Sequence, residues 1–224
     1  MSEANDGTFG DGRDGNDRFL IPRERMVAGQ LGKRGILDRR VLDAMLRVPR
    51  HEFVPERYQD QAYEDCPLPI GEGQTISQPY IVASMLEALA LKPSDKVLEV
   101  GTGSGYVTAL LAELVAQVFS IERHASLAAH AREMITNLGY GNVQIALGDG
   151  WRGLPHHQPF DAIIVSAAAE HMPELLIAQL NAGGRMIVPV GSAEQQQLQL
   201  IRMENGQPRI TLREPCRFVP LIAD

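Results

Sequence analysis

Residues 97–105 read Val-Leu-Glu-Val-Gly-Thr-Gly-Ser-Gly, an apolar run followed by three glycines at alternate positions. The apolar part predicts a buried strand, and the glycines predict a turn that leads into a helix. Because glycine has no Cβ, the backbone of such a turn can approach a ligand closely. The stretch therefore predicts a nucleotide-type ligand bound at the end of a strand, with a ligand-free structural turn as the alternative.

The spacing of the glycines narrows the class of ligand. A dinucleotide fingerprint requires a third glycine three residues after the second one. Tyr106 stands at that position, which argues against a site for a pyrophosphate. S-adenosylmethionine, a cation without phosphates, fits the pattern better.

Two acidic residues follow the next predicted strands. Residues 118–121 read as a strand leading to Glu122, whose carboxylate can accept hydrogen bonds from both ribose hydroxyls. Residues 143–147 read as the following strand, and Asp149 comes after it with a glycine on either side. Because open α/β sheets bind ligands at the carboxyl ends of their strands, we expect Asp149 to accept a hydrogen bond from the adenine amino group. A turn role is the alternative for Asp149.

Apolar runs alternate with helix-like patterns along the rest of the chain. Such alternation is the sequence form of a parallel sheet with crossover helices. We therefore predict an α/β fold, a Rossmann-like, doubly wound, mostly parallel sheet with an N-terminal helical extension. The later elements that we predict are strands at 162–165 and 185–190, a helix around 175–180, a glycine turn at 183–184 and a hairpin turn at Asn205-Gly206.

Two helices are predicted before the first strand of the sheet. Asp38 can cap the first of them, which ends at the Val48-Pro49 step. The second helix begins at Pro79, a residue type favoured at the first helical position. Ser77 lies just before this helix, so its simplest interpretation is a turn or capping hydroxyl.

The composition divides the chain into a tail and one domain. Residues 1–18 are acidic and glycine-rich with almost nothing apolar to bury, so we predict a disordered tail. We predict a single domain over residues 19–224. Within it, residues 19–95 form a helical and loop part, and residues 96–224 form the cofactor-binding core with the C-terminal strands.

Charge and cysteine content restrict the partners of the protein. The formal net charge of −7 offers no basic footprint for nucleic acid or an anionic membrane. The chain has neither a secretory signal pattern nor an apolar run long enough to span a bilayer. Its two cysteines suggest a reducing compartment, and no histidine or cysteine spacing suggests a metal site. We therefore expect a cytoplasmic monomer without a metal.

Several blocks of the sequence together resemble one family, the protein-L-isoaspartate O-methyltransferases, which repair isomerised aspartyl and deamidated asparaginyl residues. The resemblance covers the chain from about Val41 to Ile222. The blocks at 75–79 and 218–221 look specific to this family, whereas the glycine block is shared by many methyltransferases. The blocks that carry the resemblance are 48–50 with 53–54, 68–79, 99–106, 148–150, 159–165, 189–191 and 217–221.

The resemblance implies a fold of the class I S-adenosylmethionine-dependent methyltransferase type and a function for particular residues. It implies that Ser77 contacts the isoaspartyl carboxylate and that Val219 offers backbone to the substrate, a protein with an L-isoaspartyl residue. Tyr80 stands where some relatives carry histidine, which leaves the shape of the substrate pocket open. The residues that the resemblance implies for the S-adenosylmethionine site are Ile76, Ser77, Gly101, Thr102, Gly103, Glu122, Asp149 and Gly150.

The implied chemistry agrees with the residue types. A carboxylate is already ionised at neutral pH, so its methylation needs no general base, and Ser77 would orient rather than activate it. We expect a groove for an extended peptide, walled by the 75–79 loop and a strand at 218–221. Two alternatives remain: a methyltransferase for another carboxylate or small molecule, and a non-catalytic S-adenosylmethionine-binding module. A hydrolase has no supporting Ser-His-Asp set.

Overall fold

The structure is a computed structural model that describes residues 18–223. The predicted disordered tail, residues 1–18, lies outside the described residues except for Arg18. The predicted division of the remaining chain at residues 95 and 96 coincides with the start of the first long strand of the sheet, at Lys96.

Helices and strands alternate along the described chain. The helices are α1 (Leu20–Arg25), α2 (Arg39–Arg47), α3 (Pro79–Leu89), α4 (Tyr106–Leu114), α5 (Ala125–Asn137) and α6 (Glu174–Ile177). The strands are β1 (Leu68–Gly71), β2 (Gln74–Ile76), β3 (Lys96–Val100), β4 (Gln117–Glu122), β5 (Val143–Leu147), β6 (Phe160–Val165), β7 (Leu180–Gly191), β8 (Gln196–Glu204) and β9 (Gln207–Cys216). A π-helical segment, Met26–Leu31, follows α1, and short 3₁₀ turns occupy several connections.

The central sheet has seven strands in the order β5-β4-β3-β6-β7-β8-β9 within the described residues. The pairs from β5 to β7 are parallel, and β7-β8 and β8-β9 are antiparallel. The predicted fold class, a Rossmann-like and mostly parallel sheet, is therefore confirmed. The hairpin predicted at Asn205-Gly206 joins β8 to β9, so its strands extend the main sheet at one edge.

The order of the strands reverses at β3. Strands β4 and β5 lie on one side of β3, whereas β6 and β7 lie on the other side. Loops leaving the carboxyl ends of β3 and β6 therefore diverge, and the crevice between them is where open α/β sheets bind ligands. This topology places the segments after β3, β4, β5 and β6 at one edge of the sheet.

The central strands β3 and β6 are buried on both faces of the sheet. Along β3, Val97 contributes to one apolar cluster, and Leu98 and Val100 contribute to the other. Ile164 and Ile163 divide in the same way along β6. Because successive side chains of a strand point to opposite faces, each central strand supplies both cores, and this explains its continuous apolar sequence.

The N-terminal part follows the predicted helices and adds a small hairpin. Asp38 caps α2 as predicted, because its carboxylate accepts hydrogen bonds from the N–H groups of Arg40 and Val41. Helix α3 begins at Pro79 as predicted. The preceding segment forms the antiparallel pair β1-β2 around a tip that contains Glu72.

Strand β7 begins earlier than predicted. The helix expected around 175–180 ends at Ile177, and the strand starts at Leu180. The glycine pair at 183–184, predicted as a turn between two elements, lies inside the strand where its register with β6 shifts. Gly183 has a φ of 80°, so the extra residues form a bulge instead of a connection.

A fully buried acid, Glu99, lies on β3 and links three elements. Its Oε2 accepts hydrogen bonds from the hydroxyls of Thr108 on α4 and Ser120 on β4, and Ser120 in turn contacts the hydroxyl of Thr102. Its Oε1 has no partner among the described residues. Burial raises the pKa of Glu99 to about 8, although the two hydroxyl donors lower it and the nearby Glu122 raises it.

We expect Glu99 to make the stability of the ligand-free protein depend on pH. The unfolded chain releases this proton near the ordinary pKa of a glutamate, about 4.3. The folded chain holds it until about pH 8, so stability declines between these values as the pH rises. The variant Glu99→Gln keeps a neutral acceptor for Thr108 and Ser120, and we expect its melting temperature to rise relative to the wild type over this interval.

Thermal unfolding between about pH 4 and about pH 9 measures this difference. Glu133→Gln on the exposed face of α5 is the control for the loss of one negative charge. If the difference in melting temperature between Glu99→Gln and the wild type stayed the same at every pH in this interval, the assignment would be contradicted.

Candidate active site

A cleft opens at the carboxyl edge of the sheet, beneath the β1-β2 hairpin. It encloses about 790 Å³, part of which is open to solvent. Every residue that the sequence predicts for the site lines this cleft except Asp149. The predicted residues in the lining are Ile76, Ser77, Gly101, Thr102, Gly103, Glu122, Gly150 and Val219.

The glycine turn after β3 is held against the end of β4. Gly101 and Gly103 have φ values of 90° and 55°, in the left-handed region that side chains disfavour. The N–H of Gly103 donates to Oε2 of Glu122 at 2.9 Å, and the N–H of His124 donates to Oε1 at 2.9 Å. Because each carboxylate oxygen has two acceptor sites, the buried Glu122 retains acceptor capacity for ligand hydroxyls.

Asp149 and Gly150, which follow β5 after Gly148, lie in different surroundings. Gly150 lines the cleft, and a Cβ there would lie 2.7 Å from Cγ1 of Val100, so only glycine fits. The Asp149 carboxylate accepts a hydrogen bond from the Trp151 N–H at 2.9 Å and lines a neighbouring groove together with Arg152. The turn role is thus observed for Asp149, and its contact with adenine stays a prediction.

Ser77 presents a free hydroxyl from a fixed backbone. Its carbonyl accepts a hydrogen bond from Nη2 of Arg50 at 2.9 Å, whereas its hydroxyl has no hydrogen-bond partner among the described residues. The N-cap of α3 is Gln78, and Asp65 accepts the hydrogen bond from the Tyr80 N–H at 3.1 Å. The interpretation of Ser77 as a capping hydroxyl is therefore wrong.

A second groove, with a volume of about 1060 Å³ that includes open solvent, meets the cleft at Ser77. Four residues line both spaces: Thr75, Ser77, Ser166 and Val219. Ligands bound in the cleft and in the groove can therefore contact each other only beside these four residues. The geometry therefore suits a reaction between two bound molecules, with Ser77 at the point where they meet.

The C-terminal segment forms one wall of this junction. The strand predicted at 218–221 is wrong, because the segment makes only an isolated parallel bridge between Ala168 and Pro220. The carbonyl of Val219 accepts from the Ala168 N–H at 2.8 Å, and its own N–H donates to no described residue.

The sequence analysis did not predict the structural roles of Arg50 and Tyr106, two buried residues that pack against each other beside the site. Arg50 is fully buried, and its Nε donates to the Ala62 carbonyl at 2.7 Å. Its guanidinium lies 4.9 Å from the ring centroid of Tyr106, which lines the cleft. Burial lowers the pKa of Arg50 and raises the pKa of Tyr106 to about 12. The only sequence signal was the Val48-Pro49-Arg50 block.

Tyr80, the departure from the family pattern, lies beside the junction without lining it. Its ring stacks on the Arg34 guanidinium, 3.4 Å from the ring centroid, and Arg34 pairs with Asp65. Neither of the two spaces has Tyr80 in its lining. The tyrosine therefore contributes to the support of the α3 N-terminus.

The described residues contain neither a metal-binding cluster nor a membrane-spanning helix. Within residues 18–223, no cluster of three or more His, Cys, Asp or Glu side chains is arranged to hold a metal ion. In the same range, no helix has both the length and the apolar character that crossing a membrane requires.

Comparison with known proteins identifies the family. The family described as Protein-L-isoaspartate(D-aspartate) O-methyltransferase (PCMT) matches residues 23–224. A relative from Koribacter versatilis (strain Ellin345) named Protein-L-isoaspartate O-methyltransferase is 56% identical over 206 residues, covering 92% of this chain and 93% of the relative. A relative of the same name from Syntrophus aciditrophicus (strain SB) is 54% identical over 211 residues, covering 93% and 97%.

Solved structures agree with this match. A protein from Plasmodium falciparum, assigned by its name to the protein-L-isoaspartate O-methyltransferases, superposes on this chain with a TM-score of 0.80 at 29% identity. Its structure was solved in complex with S-adenosyl-L-homocysteine. The match covers 90% of this chain and 99% of that one. The chain therefore belongs to the protein-L-isoaspartate(D-aspartate) O-methyltransferase family.

Proposed function

We propose that this protein transfers a methyl group from S-adenosylmethionine to the α-carboxylate of L-isoaspartyl residues in damaged proteins. Membership of the family supports the activity, and one observation of this structure carries it. The cleft at the glycine turn and the second groove meet at Ser77 and Val219, whose hydroxyl and N–H are both free.

The residues of the cleft fit the cofactor. The left-handed turn at Gly101 and Gly103 leaves space for close approach, and Glu122 can accept two ribose hydroxyls. Glu99 lines the same cleft with an unpaired buried oxygen, and the cationic amino-acid end of the cofactor favours the ionised form of this carboxyl, which accepts a hydrogen bond there. When bound there, S-adenosylmethionine supplies an electrophilic methyl group on a sulfonium.

The residues of the groove fit a peptide carboxylate. An ionised carboxylate accepts hydrogen bonds only, so it requires donors such as the Ser77 hydroxyl and the Val219 N–H. Both donors lie where the groove opens onto the cleft. Backbone donors and a small hydroxyl recognise the carboxylate without reading a particular side chain, which suits an enzyme acting on many proteins.

The chemistry requires orientation more than activation. The carboxylate oxygen provides the electron pair of the new O–CH₃ bond, and the electron pair of the breaking C–S bond stays on sulfur. No proton moves, so no general base is required. Holding reactants in line can supply about 7–11 kcal/mol of the barrier reduction. We assign this orienting role to Ser77, held in place by Arg50.

The product explains the repair. A methyl ester can lose methoxide, whereas a carboxylate has no comparable leaving group, so the neighbouring backbone nitrogen attacks the ester carbonyl, closes a succinimide and gives up its proton, which leaves with methoxide as methanol. Hydrolysis of the succinimide then converts a fraction of the damaged residues to normal aspartate.

We further propose that the enzyme acts as a monomer in the cytoplasm, and the free state of Cys66 and Cys216 supports a reducing compartment.

Methyl transfer from labelled S-adenosylmethionine to a synthetic isoaspartyl peptide tests this function. We expect label in the isoaspartyl peptide and almost none in the aspartyl isomer of the same sequence. Equal labelling of both isomers would indicate a less selective carboxyl methyltransferase. Cofactor binding without label in either peptide would indicate a non-catalytic binding module.

We expect Ser77→Ala to lower kcat for the isoaspartyl peptide by about 10- to 100-fold. A hydrogen bond to a charged group contributes about 1.5–3 kcal/mol, and this variant removes one from the reacting carboxylate. Affinity for S-adenosylhomocysteine, measured by calorimetry, should stay close to the wild-type value. Ser192→Ala, which removes a hydroxyl from an exposed loop, is the control. Full activity of Ser77→Ala would remove Ser77 from its role.

We expect Glu122→Gln to weaken S-adenosylhomocysteine binding by about tenfold or more. The amide offers one acceptor oxygen where the carboxylate offers two, and charge-assisted hydrogen bonds to the ribose are lost. Calorimetric titration measures the change, with Glu133→Gln as the control on the adjacent helix α5. Unchanged affinity in Glu122→Gln would place the ribose elsewhere in the cleft.

A further inference from the structure

The groove that meets the cleft at Ser77 is neutral except at one position. Its lining consists of apolar and uncharged polar side chains together with Arg217. Among the described residues that line it, Arg217 alone carries a charge. A peptide lying in this groove therefore meets a single electrostatic feature, in a protein whose formal net charge is −7.

The backbone on both sides of Arg217 is anchored. Cys216 ends β9 and pairs with Gln196 on β8. The buried side chain of Gln196 then holds Phe218 from both directions, accepting from the Phe218 N–H at 2.6 Å and donating to its carbonyl at 3.1 Å. Arg217 thus has a fixed position between two held residues.

The guanidinium of Arg217 is free to bind a ligand. The side chain is exposed and makes no hydrogen bond or ion pair with any described residue. The nearest acid along the chain, Glu214, is already engaged by the Ser84 hydroxyl and lies 3.7 Å from Nε of Arg213. This state contrasts with Arg185, whose guanidinium pairs with Asp95 and donates to backbone carbonyls.

The position of Arg217 fixes which part of a substrate it can reach. It precedes Val219 by two residues, a span of at most about 7 Å of extended chain. Because Val219 lies at the reacting carboxylate, a long arginine side chain reaches substrate residues close to the isoaspartyl position. A carboxylate is the group that a free guanidinium recognises best, with two parallel hydrogen bonds.

We propose that Arg217 gives the enzyme a preference for isoaspartyl sites that have an aspartate or glutamate side chain within a few residues. This inference rests on the proposed function and adds a determinant of substrate choice. Without Arg217, the negative charge of the protein would disfavour acidic peptides. With it, the groove provides one local attraction beside the reaction centre.

Steady-state methylation of a matched peptide series tests the proposal. Each peptide has one isoaspartyl residue and carries glutamate, alanine or lysine at one position within three residues on either side. At the best position, we expect the wild type to show kcat/KM about two- to fivefold higher for the glutamate peptide than for the alanine peptide, the range of a partly exposed ion pair. High salt should reduce the ratio.

Variants locate the source of the preference. The glutamate-to-alanine ratio should fall to about one in Arg217→Gln, and Arg217→Glu should favour the lysine peptide. Arg213→Gln, a change on β9 outside the groove lining, should keep the wild-type ratio. Using a ratio within each variant removes any general effect of the substitution on folding.

Two results would overturn the proposal: a wild-type ratio of about one at every position, or a ratio that persists in Arg217→Gln. Failure of the proposed function itself gives a different result, since the alanine peptide would then take no methyl group at all. The alanine peptide therefore separates the two failures.

Discussion

The hydrogen bond from the Gly103 N–H to the Glu122 carboxylate joins the loops after β3 and β4, and the site depends on it. It forms because β3, buried on both faces, stops at Val100 and the chain turns through left-handed backbone at Gly101 and Gly103. Residues with a Cβ at these two positions would disfavour this backbone conformation and move the turn away from β4. The β1-β2 hairpin then covers the turn, and the enclosed space is the cofactor cleft.

Ser77 is positioned by contacts that come from outside the sheet. The carbonyl of Ser77 accepts a hydrogen bond from Arg50. Asp65 accepts hydrogen bonds from the Gln78 side chain and from the Tyr80 N–H at the start of α3. The Ser77 hydroxyl itself stays free. A fixed backbone with an unsatisfied donor is what a reaction governed by orientation requires, because the donor needs no rearrangement when the carboxylate arrives.

Local patterns of the sequence predicted the central strands β3 and β6 and several of the residues that line the cleft, because these strands are apolar runs and the glycine turn directly follows β3. Contacts between distant segments could not be predicted in this way. Arg50 reaches Ser77 across 27 positions, and no local pattern reports that a buried arginine will do so. The prediction of a turn at residues 183–184 is wrong for a related reason. A glycine pair indicates a turn when the sequence is considered alone, and only pairing with β6 shows that it forms a bulge inside β7.

The meeting of the two ligand spaces at Ser77 is the central claim. A crystal structure with S-adenosylhomocysteine and an isoaspartyl peptide bound together tests it most directly. We predict that the cofactor sulfur lies in the cleft beside the glycine turn and that the peptide carboxylate contacts the Ser77 hydroxyl and the Val219 N–H from the groove. A peptide carboxylate bound away from Ser77, with the groove empty, would contradict the account.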